Sequence, residues 1–81
     1  MEEEVLKIVR EAIPGHPEID MATPLLDLGL IDSLSIIEIV TRLEEHFAMQ
    51  LPDHLMVPDV FSDVTSIASA VRITLGSAPG A

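Results

Sequence analysis

Cysteine, tryptophan and tyrosine are absent from this chain, and Phe47 and Phe61 are its only aromatic side chains. Without cysteine there is no disulfide, and the protein has no thiolate nucleophile of its own. Basic residues are scarce. Four Lys+Arg stand against fourteen Asp+Glu, for a formal charge of −10. A surface that acidic repels nucleic acid and anionic lipid, and it favours partners with basic patches. Long apolar runs are lacking too: the longest stretch free of Asp, Glu, Lys and Arg runs only from Ile73 to Ala81. That is far short of the roughly 18–20 apolar residues that span a bilayer. Glu2, Glu3 and Glu4 after Met1 are the reverse of the positive start of a secretory signal. These absences lead to the expectation of a soluble, cytoplasmic chain, and 81 residues suffice for one domain.

What is present is helical. The chain is 48% hydrophobic, and no β-branched run alternates with polar residues. Val5, Ile8, Val9, Ala12 and Ile13 follow i, i+3, i+4, i+7, i+8, one stripe of a helix. That spacing predicts a helix from about Glu2 to Ile13, with three acids at its positive dipole end and Pro14-Gly15 stopping it. Ile36, Ile39, Val40, Leu43 and Phe47 predict a second from Ser33 to about Ala48, with Asp32 as N-cap. Val64, Ile67, Ala68, Val71 and Leu75 predict another from about Asp63 to Leu75, with Ser62 as N-cap and Gly76 as the C′ residue. Pro58 to Phe61 has room for one short helical turn. Between Pro14 and Asp32 lies a long connection whose Ile19, Met21, Leu25, Leu26, Leu28, Leu30 and Ile31 are too apolar to stay in water, so it is expected to pack across the helices. The expected fold class is all-α: a small four-helix bundle of three long helices and one short third helix, with a long loop between the first two. Residues 1–76 form the domain, and residues 77–81 are expected to be a disordered tail. The initiating Met1 and short tail suggest a free-standing chain, and a monomer is expected.

Several chemistries can be set aside. His16, His46 and His54 have no i, i+4 pairing and no cysteine companions, and Asp53, Asp59 and Asp63 do not follow a Ca²⁺-loop pattern, so no metal site is expected. There is no G-x-S-x-G elbow, no phosphate-cradling glycine loop and too little mass for a closed cleft. One constellation remains, Gly29-Leu30-Ile31-Asp32-Ser33-Leu34. It puts the Ser33 hydroxyl on the first turn of the central helix, where unpaired amides and the positive dipole end suit a phosphate joined to that oxygen. Asp32 caps the helix and stands where it can help bind the cation that assists a phosphoryl transfer. Asp-Ser is also an ordinary N-cap pair. At about 100° per residue, Leu34, Glu38 and Glu45 share one sector opposite the core stripe, while Ile37 and Glu44 align with Ser33. An exposed leucine among carboxylates is a plausible docking strip; the plainer reading is a solvated face in which Glu38 pairs with Arg42.

The run Leu25-Leu26-Asp27-Leu28-Gly29-Leu30-Ile31-Asp32-Ser33-Leu34-Ser35-Ile36-Ile37-Glu38-Ile39-Val40 resembles the acyl carrier protein family, which includes peptidyl and D-alanyl carrier proteins. Leu43-Glu44-Glu45-His46-Phe47 and Pro58-Asp59-Val60-Phe61-Ser62-Asp63-Val64 add to the likeness, which extends from about Val5 to Leu75. The resemblance implies a carrier and not an enzyme. Ser33 would receive 4′-phosphopantetheine from coenzyme A through a phosphopantetheinyl transferase and Mg²⁺, and the thiol of that arm would hold a carboxylic acid as a thioester. Asp32, Leu34, Ile37, Glu38, Glu44 and Glu45 match the surface with which the family meets basic patches on acyl- or aminoacyl-loading enzymes and on downstream synthases or transferases. L-I-D-S-L, and Ser35 where fatty-acid carriers often have an acid, suggest a specialised pathway such as polyketide or nonribosomal peptide synthesis. Acyl, aminoacyl and D-alanyl cargoes stay open. The alternative is an acidic helical adaptor that binds partners through the second helix without a prosthetic group.

Overall fold

A computed structural model describes residues 1–76. The expected tail, residues 77–81, lies outside the described residues. Three α-helices form: α1 (Glu2–Ala12), α2 (Ser33–Phe47) and α3 (Val64–Gly76). No strand occurs among the described residues. Between α2 and α3 the chain makes two 3₁₀ turns, Asp53–Leu55 and Pro58–Phe61. The second stands where one short helical turn is expected. Nothing in the hydrophobic spacing announces the first, because it buries no side chain.

The stripes meet in one core. Val5, Ile8 and Val9 of α1 face Ile39, Val40 and Leu43 of α2 and Val64, Ile67, Ala68, Ala70 and Val71 of α3. Helix α1 packs against both α2 and α3, and the Pro58–Phe61 turn packs on α3. That turn delivers Phe61, which is 1% exposed; burying such a ring contributes roughly 1.5–3 kcal/mol. The α3 stripe ends at Val71, and Leu75, expected on it, is exposed. Arg72 already lies 3.7 Å from Glu2 at the start of α1, so the last turn of α3 runs past its neighbour.

Exposed polar contacts link the helix ends. His46 Nε2 lies 2.6 Å from Glu4 Oε2, which, with Arg72 and Glu2, sets the start of α1 beside the ends of α2 and α3. Ser33 is thirteen residues before His46, about 20 Å away along the helix. Ser33 and the His46 contact with α1 therefore stand at opposite ends of α2.

The long connection is packed rather than free. Ile19 and Leu25 are fully buried and Ile31 nearly so. Its backbone is tied at three places: Arg10 Nε donates to the Ile19 carbonyl (2.8 Å), Thr65 donates its amide (3.1 Å) and hydroxyl (3.0 Å) to the Met21 carbonyl, and the Leu25 amide donates to the Ser62 carbonyl (2.8 Å). Leu28, in contrast, is exposed. The cap of α3 also differs from expectation. Asp63 Oδ1 accepts the Ser66 amide at 2.8 Å, whereas the Ser62 hydroxyl turns back to the Asp59 carbonyl at 2.9 Å. Val64 is the first helical residue, so position 63 is the one whose side chain reaches the third amide. Gly76 is the last residue of α3, not one beyond it.

Candidate functional site

The approach to Ser33 is a turn written into Pro24-Leu25-Leu26-Asp27-Leu28-Gly29-Leu30. The Leu28 amide donates to the Pro24 carbonyl (3.0 Å), Gly29 to Leu26 (3.1 Å) and Leu30 to Leu25 (3.0 Å). With Gly29 at φ 68, the last two bonds make the paired closure typical of a helix terminus, whose turning residue adopts the left-handed region that glycine enters without a Cβ penalty. Leu25 before the turn and Ile31 after it are buried, so both flanks are gripped by the core. The chain then leaves the core extended at Asp32, with φ −135 and ψ −175.

That extended residue caps α2. Asp32 Oδ1 accepts the Ser35 amide at 2.8 Å, and its carbonyl takes the Ile36 amide at 2.9 Å. The Ser35 amide, with the Ser35 hydroxyl next in weight, holds the Asp32 carboxyl below the usual carboxylate range. Near neutral pH the group beside Ser33 is therefore an anion with its cap in place. Ser33 itself is the first residue of α2 and is exposed. Its hydroxyl stands on a rigid first turn whose remaining amides point toward any phosphate esterified to it. These residues fit a phosphate-linked arm: the hydroxyl is accessible, the helix end is positive, and the neighbouring carboxylate is turned onto the backbone.

Exposed apolar side chains stand among the carboxylates of this region. Leu34 is 77% exposed, and Ile37 and Leu28 are each 59% exposed. Leu34 and Ile37 are on the face the helical spacing indicates. Leu28 follows no stripe and carries no signal in the sequence that would single it out. Glu38 Oε1 accepts from Arg42 Nε at 2.8 Å, the i, i+4 pair, and Arg42 Nη1 also lies 3.8 Å from Glu11 Oε1 on α1. Glu45 is exposed. Glu44 differs from the others: half-buried, it accepts the Leu51 amide on Oε2 at 3.0 Å and closes the chain after α2. Spacing along one helix cannot reveal that partner, which comes from the next segment. Asp32, Ser33, Leu34, Ile37, Glu38 and Glu45 thus share the outer surface, and Glu44 is tied inward.

Among the described residues no helix is long and apolar enough to cross a membrane. No curated protein and no solved structure matches the chain. A family model described as the phosphopantetheine attachment site matches residues 3–73. That span takes in all of α2, the turn that presents it and nearly all of α1 and α3. The chain therefore belongs to the phosphopantetheine attachment site family, as a non-catalytic carrier of the acyl and peptidyl carrier kind whose prosthetic group is 4′-phosphopantetheine.

Proposed function

We propose that Ser33 is the residue that bears the prosthetic group, and that the protein shuttles acyl or aminoacyl groups between partner enzymes of a specialised pathway. One observation carries this reading: an exposed serine on the first turn of α2, beside the N-capping Asp32, at the end of the helix away from the His46–Glu4 hydrogen bond. In loading, the Ser33 Oγ forms a bond to the phosphorus of the pantetheine-bearing phosphate of coenzyme A. The bond from that phosphorus to the adenosine bisphosphate breaks, and the Oγ proton passes to a base on the transferase. Asp32 holds the helix end in place and would offer its carboxylate to the assisting Mg²⁺. When bound, the arm supplies a thiol that holds a carboxylic acid as a thioester.

Leu34, Ile37, Glu38 and Glu45 form the surface we assign to docking, with the phosphopantetheinyl transferase first and loading and synthase enzymes after it. Leu34 is the apolar anchor, and the carboxylates meet basic side chains around it. We read Pro58–Phe61 as the short third helix of a four-helix carrier bundle in 3₁₀ form. We place the protein in the cytoplasm, working as a monomer, where coenzyme A and its transferase would meet it.

The test is intact mass before and after incubation with coenzyme A, Mg²⁺ and a broad-specificity phosphopantetheinyl transferase. A phosphopantetheine-sized gain is expected on the wild type and none on Ser33→Ala. Because Asp32 remains the cap, Ser33→Ala should change folding stability by no more than about 1 kcal/mol. A gain that persists in folded Ser33→Ala would sink the assignment. No gain on folded wild type would favour an adaptor that uses the same surface without an arm.

A further inference from the structure

We propose that Arg42 is an internal counter-ion of the docking strip, setting how tightly a basic partner enzyme binds beside Ser33; the inference rests on the carrier reading above. Arg42 is the one Lys or Arg on α2. Its Nε donates to Glu38 Oε1 at 2.8 Å, and its Nη1 reaches toward Glu11 Oε1 at 3.8 Å. At 100° per residue, Leu34, Glu38 and Glu45 share a sector of about 40°, and Arg42 stands about 80° from Leu34 on the side of α1. The guanidinium borders the strip and neutralises a carboxylate within it.

The other carboxylates sharpen the point. Asp32 is held by the Ser35 amide and Glu44 by the Leu51 amide. Of the carboxylates within the strip itself, Glu38 and Glu45 are exposed, and Arg42 contests the first of them. The contest is an even one, because both side chains are about half exposed, at 40% and 50%, and solvent-exposed pairs of this kind open readily. A lysine or arginine of the partner must share Glu38 with Arg42, and it feels Arg42 directly, since repulsion is little screened within about 8–10 Å at physiological salt. The chain as a whole is strongly acidic, so attraction from a distance is preserved while the final contact is loosened. A shuttle that must leave each partner gains from a faster release.

The test is steady-state loading by a phosphopantetheinyl transferase whose docking face carries Lys or Arg, with coenzyme A and Mg²⁺, at low salt and near 1 M salt. Arg42→Gln is expected to lower the KM for the carrier about twofold to fivefold at low salt with kcat unchanged. The difference should vanish at high salt, where the screening length falls to about 3 Å. Arg42→Lys keeps the charge and should restore the wild-type KM. Glu11→Gln cuts the link to α1 while leaving the Glu38 pair, and it should also keep the wild-type KM. An Arg42→Gln variant with unchanged KM at low salt, or KM values that follow melting temperature instead of charge, would overturn the inference while leaving Ser33 as the loaded residue. If wild type itself takes up nothing, the carrier reading falls and this inference falls with it.

Discussion

Two turns in this chain close in the same way with different residues. Before α2, Gly29 adopts φ 68, and the amide of the next residue, Leu30, returns to Leu25. After α2, Ala48 adopts φ 51, and the Met49 amide returns to Glu44. Left-handed backbone costs a residue with a Cβ roughly 1–2 kcal/mol, and glycine escapes that cost. The unstrained version stands next to Ser33 and the strained one at the far end. The two ends of α2 differ in their other supports as well. At the Ser33 end a glycine turn and a cap three residues from the amide it binds close locally, and the core holds their flanks through buried Leu25 and Ile31 and the bond from the Leu25 amide to the Ser62 carbonyl. At the far end side chains supply the ties, Glu44 to the Leu51 amide and His46 to Glu4 across the bundle. The comparison teaches that Ser33 is presented by a backbone turn, a cap and flanks buried in the core, so that the side chains around it stay exposed for partners. Strain is tolerated where tertiary contacts override it.

The largest effect is expected from giving the first turn the residue of the second. A Cβ at Gly29 meets nothing within 4 Å, so the cost of Gly29→Ala is backbone conformation, about 1–2 kcal/mol. Urea unfolding should register it. Loading of Ser33 should also slow, because relaxation of the turn moves Asp32 and the helix start. Unchanged stability would mean that the left-handed turn is not needed.

The converse exchange is smaller and opposite in sign. Ala48 is exposed, so Ala48→Gly loses no packing. Relief of the left-handed strain, less the added freedom of the unfolded chain, should leave a gain of roughly 0.5–1 kcal/mol. Loading should be untouched. A variant less stable than wild type would place the strain elsewhere.

The smallest effect separates the ends by pH. The Glu4 carboxyl is held below its usual range chiefly by its hydrogen bond to His46, and the Asp32 carboxyl chiefly by the Ser35 amide. A carboxyl depressed in the folded state contributes stability above its unfolded pKa, and that contribution disappears as pH falls through the folded one. The advantage of wild type over Glu4→Gln should therefore shrink from about pH 4 downward. Asp32→Asn keeps a capping side chain without the titration, so its stability should fall less than wild type over the same range. Advantages that stay constant from neutral pH to pH 3 would count against both assignments.

Much of this was legible in the residues. Stripes of Val, Ile and Leu located the three α-helices to within about a residue or two, because a helix buries one face whatever it packs against. The capping aspartate at 32 was legible because its hydrogen bond closes within three residues. Other features escaped. The cap of α3 is Asp63 and not Ser62, a difference of one residue in where the helix starts. Leu28 and Leu75 carry the same apolar signal as their buried neighbours, and exposure depends on whether another element comes to cover them. The 3₁₀ turn at Asp53–Leu55 has no buried side chain and so no periodicity.

By itself the sequence determined what is local or periodic: the helical class, the acidic surface, the glycine turn and the serine on a capped first turn. Their causes lie within a few residues, in backbone sterics, dipoles and side-chain spacing. Only the tertiary structure decided which charges stay available. Glu44 goes to the Leu51 amide, Glu4 to His46, and Arg42, besides its i, i+4 partner Glu38, reaches toward Glu11 on α1. Such partners come from whichever segment packing brings alongside, and spacing along one helix cannot specify a neighbour supplied by another.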